Sequence, residues 1–193
     1  MDIRLMQKRE TQKTFLSYLH DLAMLLCIVL AVFLLLIRIV VVSGPSMMDT
    51  LVDGDYLLVL GAPFYNSPQA GDVVVISKDG FKDGEPIIKR VIATEGQSVE
   101  IRSQRVYVDG VMLNEAYICT PTNAPVGDYY CAKVDKGCVF VMGDNRAVSK
   151  DSRSNDIGQI DCREILGKAV FLVFPGEDLF TNSRDFSRMG VIS

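Results

Sequence analysis

Residues 106–113 read VYVDGVML, two short runs of β-branched, aromatic and apolar residues joined by Asp109 and Gly110. A two-residue Asp-Gly link suits a tight hairpin turn, because both of its positions take positive φ. The same dipeptide returns at Asp53-Gly54, Asp79-Gly80 and Asp83-Gly84, each among short Val-, Ile- and Tyr-rich runs. Hairpin signals repeated between short strands predict a mainly β, antiparallel domain. With residues 1–42 set aside, the rest of the 193-residue chain is long enough for one such domain with a buried core.

The segment before it has a different character. Leu22 to Val42 is apolar and interrupted only by Arg38, long enough to cross a hydrocarbon core of about 30 Å. Arg38 lies near one end, where a long side chain reaches the headgroups. A cleavable secretory signal is the rival reading, with Gly44 as a small residue near a cut, but its apolar region runs only ~7–15 residues. A buried core helix does not suit a run that is apolar on every face.

Arg4, Lys8, Arg9 and Lys13 precede the run, and the segment immediately after it carries no lysine or arginine. The positive-inside tendency then predicts residues 1–21 in the cytoplasm, a single transmembrane anchor over 22–42, and residues 43–193 as an extracytoplasmic domain. Membrane lipid is accordingly an expected partner. The net charge of −4 argues against a general nucleic-acid binder.

Cys119, Cys131, Cys138 and Cys162 would face an oxidising space, where disulfides form. Cys119 and Cys131 bracket a segment containing Pro, Gly and Asn and are the expected pair, the alternative being four unbridged thiols. The chain has no C-x-x-C and only one histidine, so no zinc site is expected.

Ser46 stands in SGPSMMDTL, residues 43–51, where Gly44 and Pro45 predict a tight, exposed turn and Met47, Met48 and Leu51 offer apolar side chains for a pocket wall. A serine in such a turn is commonly a turn residue and nothing more. Its place just beyond the apolar run changes that, because a nucleophile there would meet a substrate held in the membrane. His20 falls on the other side of any such membrane, so a lysine is the natural base.

Lys89 in IIKRVI, residues 87–92, is the candidate. Strand alternation puts Ile87, Lys89 and Val91 on one face and Ile88, Arg90 and Ile92 on the other. Desolvation among apolar neighbours disfavours the ammonium form, the direction a general base requires. A third constellation is GDNRAVSKDSRSNDIG, residues 143–158. Such a stretch can be a solvated loop, but Asp144, Arg146, Asp151 and Arg153 can also form alternating ion pairs that rigidify it. Ser149 would then stand where it can hydrogen-bond a neutral lysine amine.

Taken together these segments resemble the type I bacterial signal peptidase family. SGPSMMDTL resembles its nucleophile box, Ser-Met-x-Pro-Thr; AGDVVVI, residues 70–76, its Gly-Asp-Val-Val strand; IKRVIATEGQSV its lysine box; and GDNRAVSKDSR its last box. The likeness runs essentially over residues 15–175. It implies an antiparallel β peptidase domain of the compact signal-peptidase type, with Ser46 as nucleophile and Lys89 as general base. Ser149 would orient the lysine, and Asp144, Arg146, Asp151 and Arg153 would support the site. Met47 and its apolar neighbours would line the pocket for the small residue before the scissile bond, and the Ser46 N–H would contribute to an oxyanion hole.

The implied reaction is removal of signal peptides from secretory precursor proteins, without metal or cofactor. Three positions depart from the family pattern: Gly44 where some relatives carry a hydroxyl, Asp49 in place of proline, and ATEGQ, residues 93–97, in place of Gly-x-Pro-Gly-Asp. These departures suit the alternative of a non-catalytic signal-peptidase-like chaperone or assembly factor of a pilus or secretion system. A self-cleaving regulator of the repressor type would need a DNA-binding domain, for which residues 1–21 are too few. The residues leave the oligomeric state open.

Overall fold

The computed structural model describes residues 3–48, 50–78, 85–177 and 183–192. The chain divides into two units, residues 1–37 and 38–193. The first is a helix, α1, over Ile3–Leu36. From Leu22 to Leu30, and at Phe33, its large apolar side chains are exposed. The helix does not carry the whole apolar run, because Ile37–Val41 forms strand β1. Three of the five β1 positions after Leu36 place a β-branched residue beside another, which suits a pleated ladder better than a helical turn. β1 accordingly lies beside β2 at the edge of a sheet. Among the described residues no helix is long and apolar enough to cross a membrane.

The second unit is antiparallel β, as the hairpin signals predict. The strands after β1 are β2 (Tyr56–Gly61), β3 (Val73–Ile76), β4 (Ile87–Thr94), β5 (Ser98–Arg102), β6 (Arg105–Val108) and β7 (Val111–Met112). They continue as β8 (Tyr129–Lys133), β9 (Cys138–Met142), β10 (Ile160–Asp161), β11 (Ile165–Phe174) and β12 (Gly190–Val191). The larger sheet runs β1-β2-β11-β3-β4-β9-β10, with β12 on β11; the smaller runs β7-β6-β5-β8. In the quoted hairpin Val108 pairs with Val111 across Asp109 (φ 52°) and Gly110 (φ 78°). The Asp79-Gly80 and Asp83-Gly84 signals lie outside the described residues.

β3 and β4 are buried along nearly their whole length. Alternation therefore sends their side chains into two different cores. Val73 and Val75 join Met47, Leu51, Leu57 and Leu172. Val74 and Ile76 join Ile87, Val91, Val139 and Val141. A third cluster unites Ile92, Phe140 and Met142 of the large sheet with Val99, Ile101, Val106 and Val108 of the small one. A lysine placed in β4 has apolar packing around it for this reason.

The cysteine expectation is corrected here. Cys131 is an exposed thiol on β8, and no disulfide joins it to Cys119. Burial pushes the thiols of Cys138 and Cys162 up, which keeps them protonated.

Asp72, from the AGDVVVI segment, closes the turn that leads into β3. Its carboxylate accepts from the Tyr65 hydroxyl (2.6 Å), the Gln69 N–H (3.0 Å) and the Lys168 ammonium of β11. Burial alone would raise this carboxyl, but the bonds from Lys168, Tyr65 and Gln69 outweigh it and hold it below the ordinary value of 3.8. A depressed carboxyl adds stability that is present above its unfolded value and lost as pH falls through the folded one. Acid titration of the folded fraction should show Asp72→Asn losing less stability than the parent as pH drops below about 4. Parallel acid curves for the two proteins would contradict that role.

Candidate active site

Ser46 occupies the turn between β1 and β2. The Gly44 N–H donates to Asp53 Oδ1 (2.7 Å), the Met48 N–H to the Pro45 carbonyl (3.2 Å) and the Leu51 N–H to the Met47 carbonyl (2.8 Å). This winding leaves Ser46 half-buried and drives Met47 and Leu51 into the core. Met47 is 1% exposed and packs with Val42, Leu57 and Leu172, so it does not line a pocket as expected.

Lys89 sits within β4, paired opposite Val74 of β3, and is 3% exposed. Ile87 and Val91 share one core cluster, as the strand alternation predicts. The Lys89 ammonium donates to Ser46 Oγ at 2.7 Å and to the Ile88 carbonyl at 3.0 Å. With the amine neutral, the same separation serves the reverse bond, from serine to lysine, at a distance suited to proton transfer. Beside this pair opens a cavity of about 340 Å³, lined by Ser43, Gly44, Pro45, Ile87, Ile88 and Val148 and rimmed by Glu85 and Lys150.

Two loops hold the pair in register. Arg90, the neighbour of Lys89, reaches Asp144 by a two-pronged contact, Nε to Oδ1 (2.9 Å) and Nη2 to Oδ2 (2.8 Å). Both side chains are fully buried, at 1% and 0% exposure. The Thr50 hydroxyl, from the serine loop, also donates to Asp144. The next residue, Asn145, donates its N–H to the Ser46 carbonyl (3.1 Å) and its amide to the Pro45 carbonyl (3.1 Å). Arg90 further stacks on Tyr117, 4.1 Å from the ring centre. Burial and the Glu115 carboxylate push the Tyr117 phenol up.

Asp144, Arg146, Asp151 and Arg153 do not form alternating pairs among themselves. Asp151 and Arg153 pair within the loop, Nε to Oδ1 at 2.8 Å, and Lys150 meets Asp156 on the surface at 3.6 Å. Asp144 turns to Arg90, while Arg146 binds Glu115 and the Thr122 hydroxyl (2.6 Å). The outcome is still a rigid loop, because both ends of Gly143 are gripped. Its N–H donates to Asp151 (3.0 Å) and its carbonyl accepts from Arg146 Nε (3.1 Å). A Cβ on Gly143 would lie 2.4 Å from the Ser46 carbonyl and 2.3 Å from Ser149 Oγ. Glycine alone permits that approach.

Ser149 Oγ is thus packed beside the nucleophile turn, but it is buried and makes no hydrogen bond. The expected bond from the Ser149 hydroxyl to Lys89 is not formed; the amine donates to the Ser46 hydroxyl and the Ile88 carbonyl. The loop's own backbone turn, with the Ser149 N–H on the Asn145 carbonyl (3.0 Å), sends the hydroxyl onto Gly143 instead. ATEGQ forms the turn from β4 to β5, closed by the Gln97 N–H on the Thr94 carbonyl (3.1 Å) and away from the cavity lining. Asp49 lies outside the described residues. The sequence reading missed Arg90, Thr50 and Asn145 as site supports. The signal for Arg90 was a second cation in a strand buried on both faces, which demands a buried anion.

The model of the family described as signal peptidase, peptidase S26, matches residues 15–174. A probable signal peptidase I-1 of Synechocystis sp. is 39% identical over 141 residues, 69% of this chain and 69% of its own. A signal peptidase I of Bacillus amyloliquefaciens is 36% identical over 146 residues, 72% of this chain and 74% of its own. A signal peptidase I of Bacillus licheniformis is 33% identical over 167 residues, 81% and 88% of the two chains. The chain belongs to the signal peptidase, peptidase S26, family.

Removing one partner of a buried pair leaves the other charge uncompensated, at a cost of about 3–5 kcal/mol. Asp144→Ala should therefore unfold in urea with a stability lower by about that amount. A loss below about 1 kcal/mol, the scale of an exposed pair, would show that Arg90 finds other compensation.

Proposed function

We propose that this chain is a serine endopeptidase that removes signal peptides from exported precursor proteins, with Ser46 as nucleophile and Lys89 as general base. The observation that carries the reading is the 2.7 Å approach of Lys89 Nζ to Ser46 Oγ, at the mouth of a cavity. A lysine 3% exposed between apolar strands holds its proton at a desolvation cost, which favours the neutral amine.

The amine takes the proton of Ser46 Oγ as the oxygen attacks the scissile carbonyl carbon. The developing oxyanion is met by the Ser46 N–H. Collapse breaks the C–N bond, and the Lys89 ammonium returns its proton to the leaving amine of the mature protein. A water then gives a proton to Lys89 and attacks the acyl ester; as the bond to Oγ breaks, the Lys89 ammonium returns that proton to Ser46, releasing the signal peptide and restoring both groups. Ile87, Ile88 and Val148 offer an apolar cavity wall for a small side chain before the cut. Asp144, Arg146, Asp151 and Arg153 act by holding Gly143 and Asn145 against the serine turn, and Ser149 acts as packing beside it.

Ser46→Ala and Lys89→Ala should each abolish cleavage of a synthetic precursor while leaving the domain folded. Lys89→Arg should remain inactive, because guanidinium does not release its proton. In the parent, activity should rise along a limb well below the ordinary lysine value of about 10.4. Turnover by either folded alanine variant would end this mechanism.

The reading extends to the membrane. The apolar side chains of α1 from Leu22 to Leu30 are exposed, which suits a nonpolar solvent, and the lysines and arginines cluster before them. We place the segment within 22–42 as the anchor, residues 1–21 in the cytoplasm and the β domain outside. Protease added to intact spheroplasts should digest the β domain and spare the first ~20 residues. A protected C-terminal tag would reverse the orientation.

A further inference from the structure

We propose that Arg188, in the C-terminal segment beyond the residues the family model matches, is a positioning residue for the nucleophile turn. It acts through Asp55, a carboxylate with 0% exposure at the base of the loop that carries Ser46. The loop is closed there by the Val42 N–H on the Asp55 carbonyl (2.8 Å) and the Gly54 N–H on the Val42 carbonyl (2.9 Å). Inside that closure the Asp55 carboxylate accepts from the Val52 N–H (2.8 Å) and from the Gly176 N–H (2.7 Å).

A buried carboxylate needs a compensating cation. Arg188 supplies it as a fork, Nη1 to Oδ1 (3.0 Å) and Nη2 to Oδ2 (2.6 Å), and Nη2 also reaches the Thr50 carbonyl (3.4 Å). Thr50 is the residue whose hydroxyl binds Asp144. One guanidinium therefore braces the serine loop at Thr50, the residue that also reaches the Arg90–Asp144 pair.

The described residues on either side of Arg188 are themselves held. A Cβ on Gly176 would stand 2.1 Å from the Asp53 carbonyl, so the chain passes directly over the loop's Asp53-Gly54 turn. Arg184 donates to the Pro175 carbonyl (2.7 Å), and Phe186 meets Phe174 edge-on at 5.6 Å. β12 then pairs with β11, Gly190 opposite Leu172. A planar fork answered by both carboxylate oxygens sets orientation as well as charge. A lysine at 188 keeps the charge but not that geometry.

The inference rests on the proposed function, and its test separates the two. The full chain in detergent is assayed on a precursor peptide as parent, Arg188→Lys, Arg188→Ala and Arg163→Ala, the last a control whose pair with Asp161 lies on the surface. Arg188→Lys should lower kcat by about tenfold to a hundredfold, as a misplaced reacting group does. KM should change by less than about twofold, because the substrate contacts remain. Amide exchange over residues 46–52 should quicken, with β4 and β9 unchanged. Guanidinium at non-denaturing concentration should restore part of the Arg188→Ala activity.

Parent kcat in Arg188→Lys with unchanged exchange at 46–52 overturns the assignment. So does a loss of kcat that only tracks the folded fraction, with exchange rising across both sheets. If Arg188→Ala does not fold, the lysine variant decides alone. If the parent itself cleaves nothing, the proposed function fails, and exchange at 46–52 still decides the clamp.

Discussion

The bidentate contact of Arg90 with Asp144 is the constraint on which the site depends. Arg90 is the chain neighbour of Lys89 on β4, and Asp144 lies between Gly143 and Asn145, which both touch the backbone of Ser46. Thr50, from the serine loop, donates to the same carboxylate. Base, nucleophile and supporting loop therefore converge on one ion pair. Neither charge has water to fall back on, so the arrangement is all-or-none: a partial displacement would strand a buried charge. That is a stronger positional constraint than apolar packing alone, which tolerates sliding.

Around that pair the two catalytic groups are held in different ways. Lys89 belongs to a strand buried on both faces and inherits the rigidity of the large sheet. Ser46 belongs to a turn, and turns are held by what binds their backbone. The structure meets that need with Asp53 on Gly44, Asn145 on Pro45 and Ser46, and the buried Asp55 at the loop's base. Asp144, Arg146 and Asp151 of the 143–158 loop are costly to bury, but each is answered by an opposite charge. Charged groups paired in this way specify one geometry.

The sequence-level expectations succeeded and failed along a clear line. Alternation in IIKRVI placed Lys89 with Ile87 and Val91, and the Asp109-Gly110 hairpin formed as read, because both depend on local backbone geometry. Length alone overstated the apolar run as one helix, since the β-branched residues after Leu36 join a sheet edge. Met47 was assigned to a pocket from its neighbourhood in sequence, yet the winding of the turn sends it into the core. The charges of 143–158 were paired with one another by proximity, while Asp144 and Arg146 find partners far away in the chain.

By itself the sequence determined the chemical groups, the strand faces and the turns, because each is decided over a few residues by periodicity and by φ. It also held the motifs that place the chain in its family. Which anion answers which cation was decided only in three dimensions. Arg90 and Asp144 are 54 residues apart, and Arg188 and Asp55 are 133 apart. Those distances are closed by sheet order, in which β4 lies between β3 and β9 and the C-terminal strand returns to β11. The position of the Ser149 hydroxyl is of the same kind. A side chain's partner is set by the free volume left once both loops have packed, and no local pattern encodes that volume.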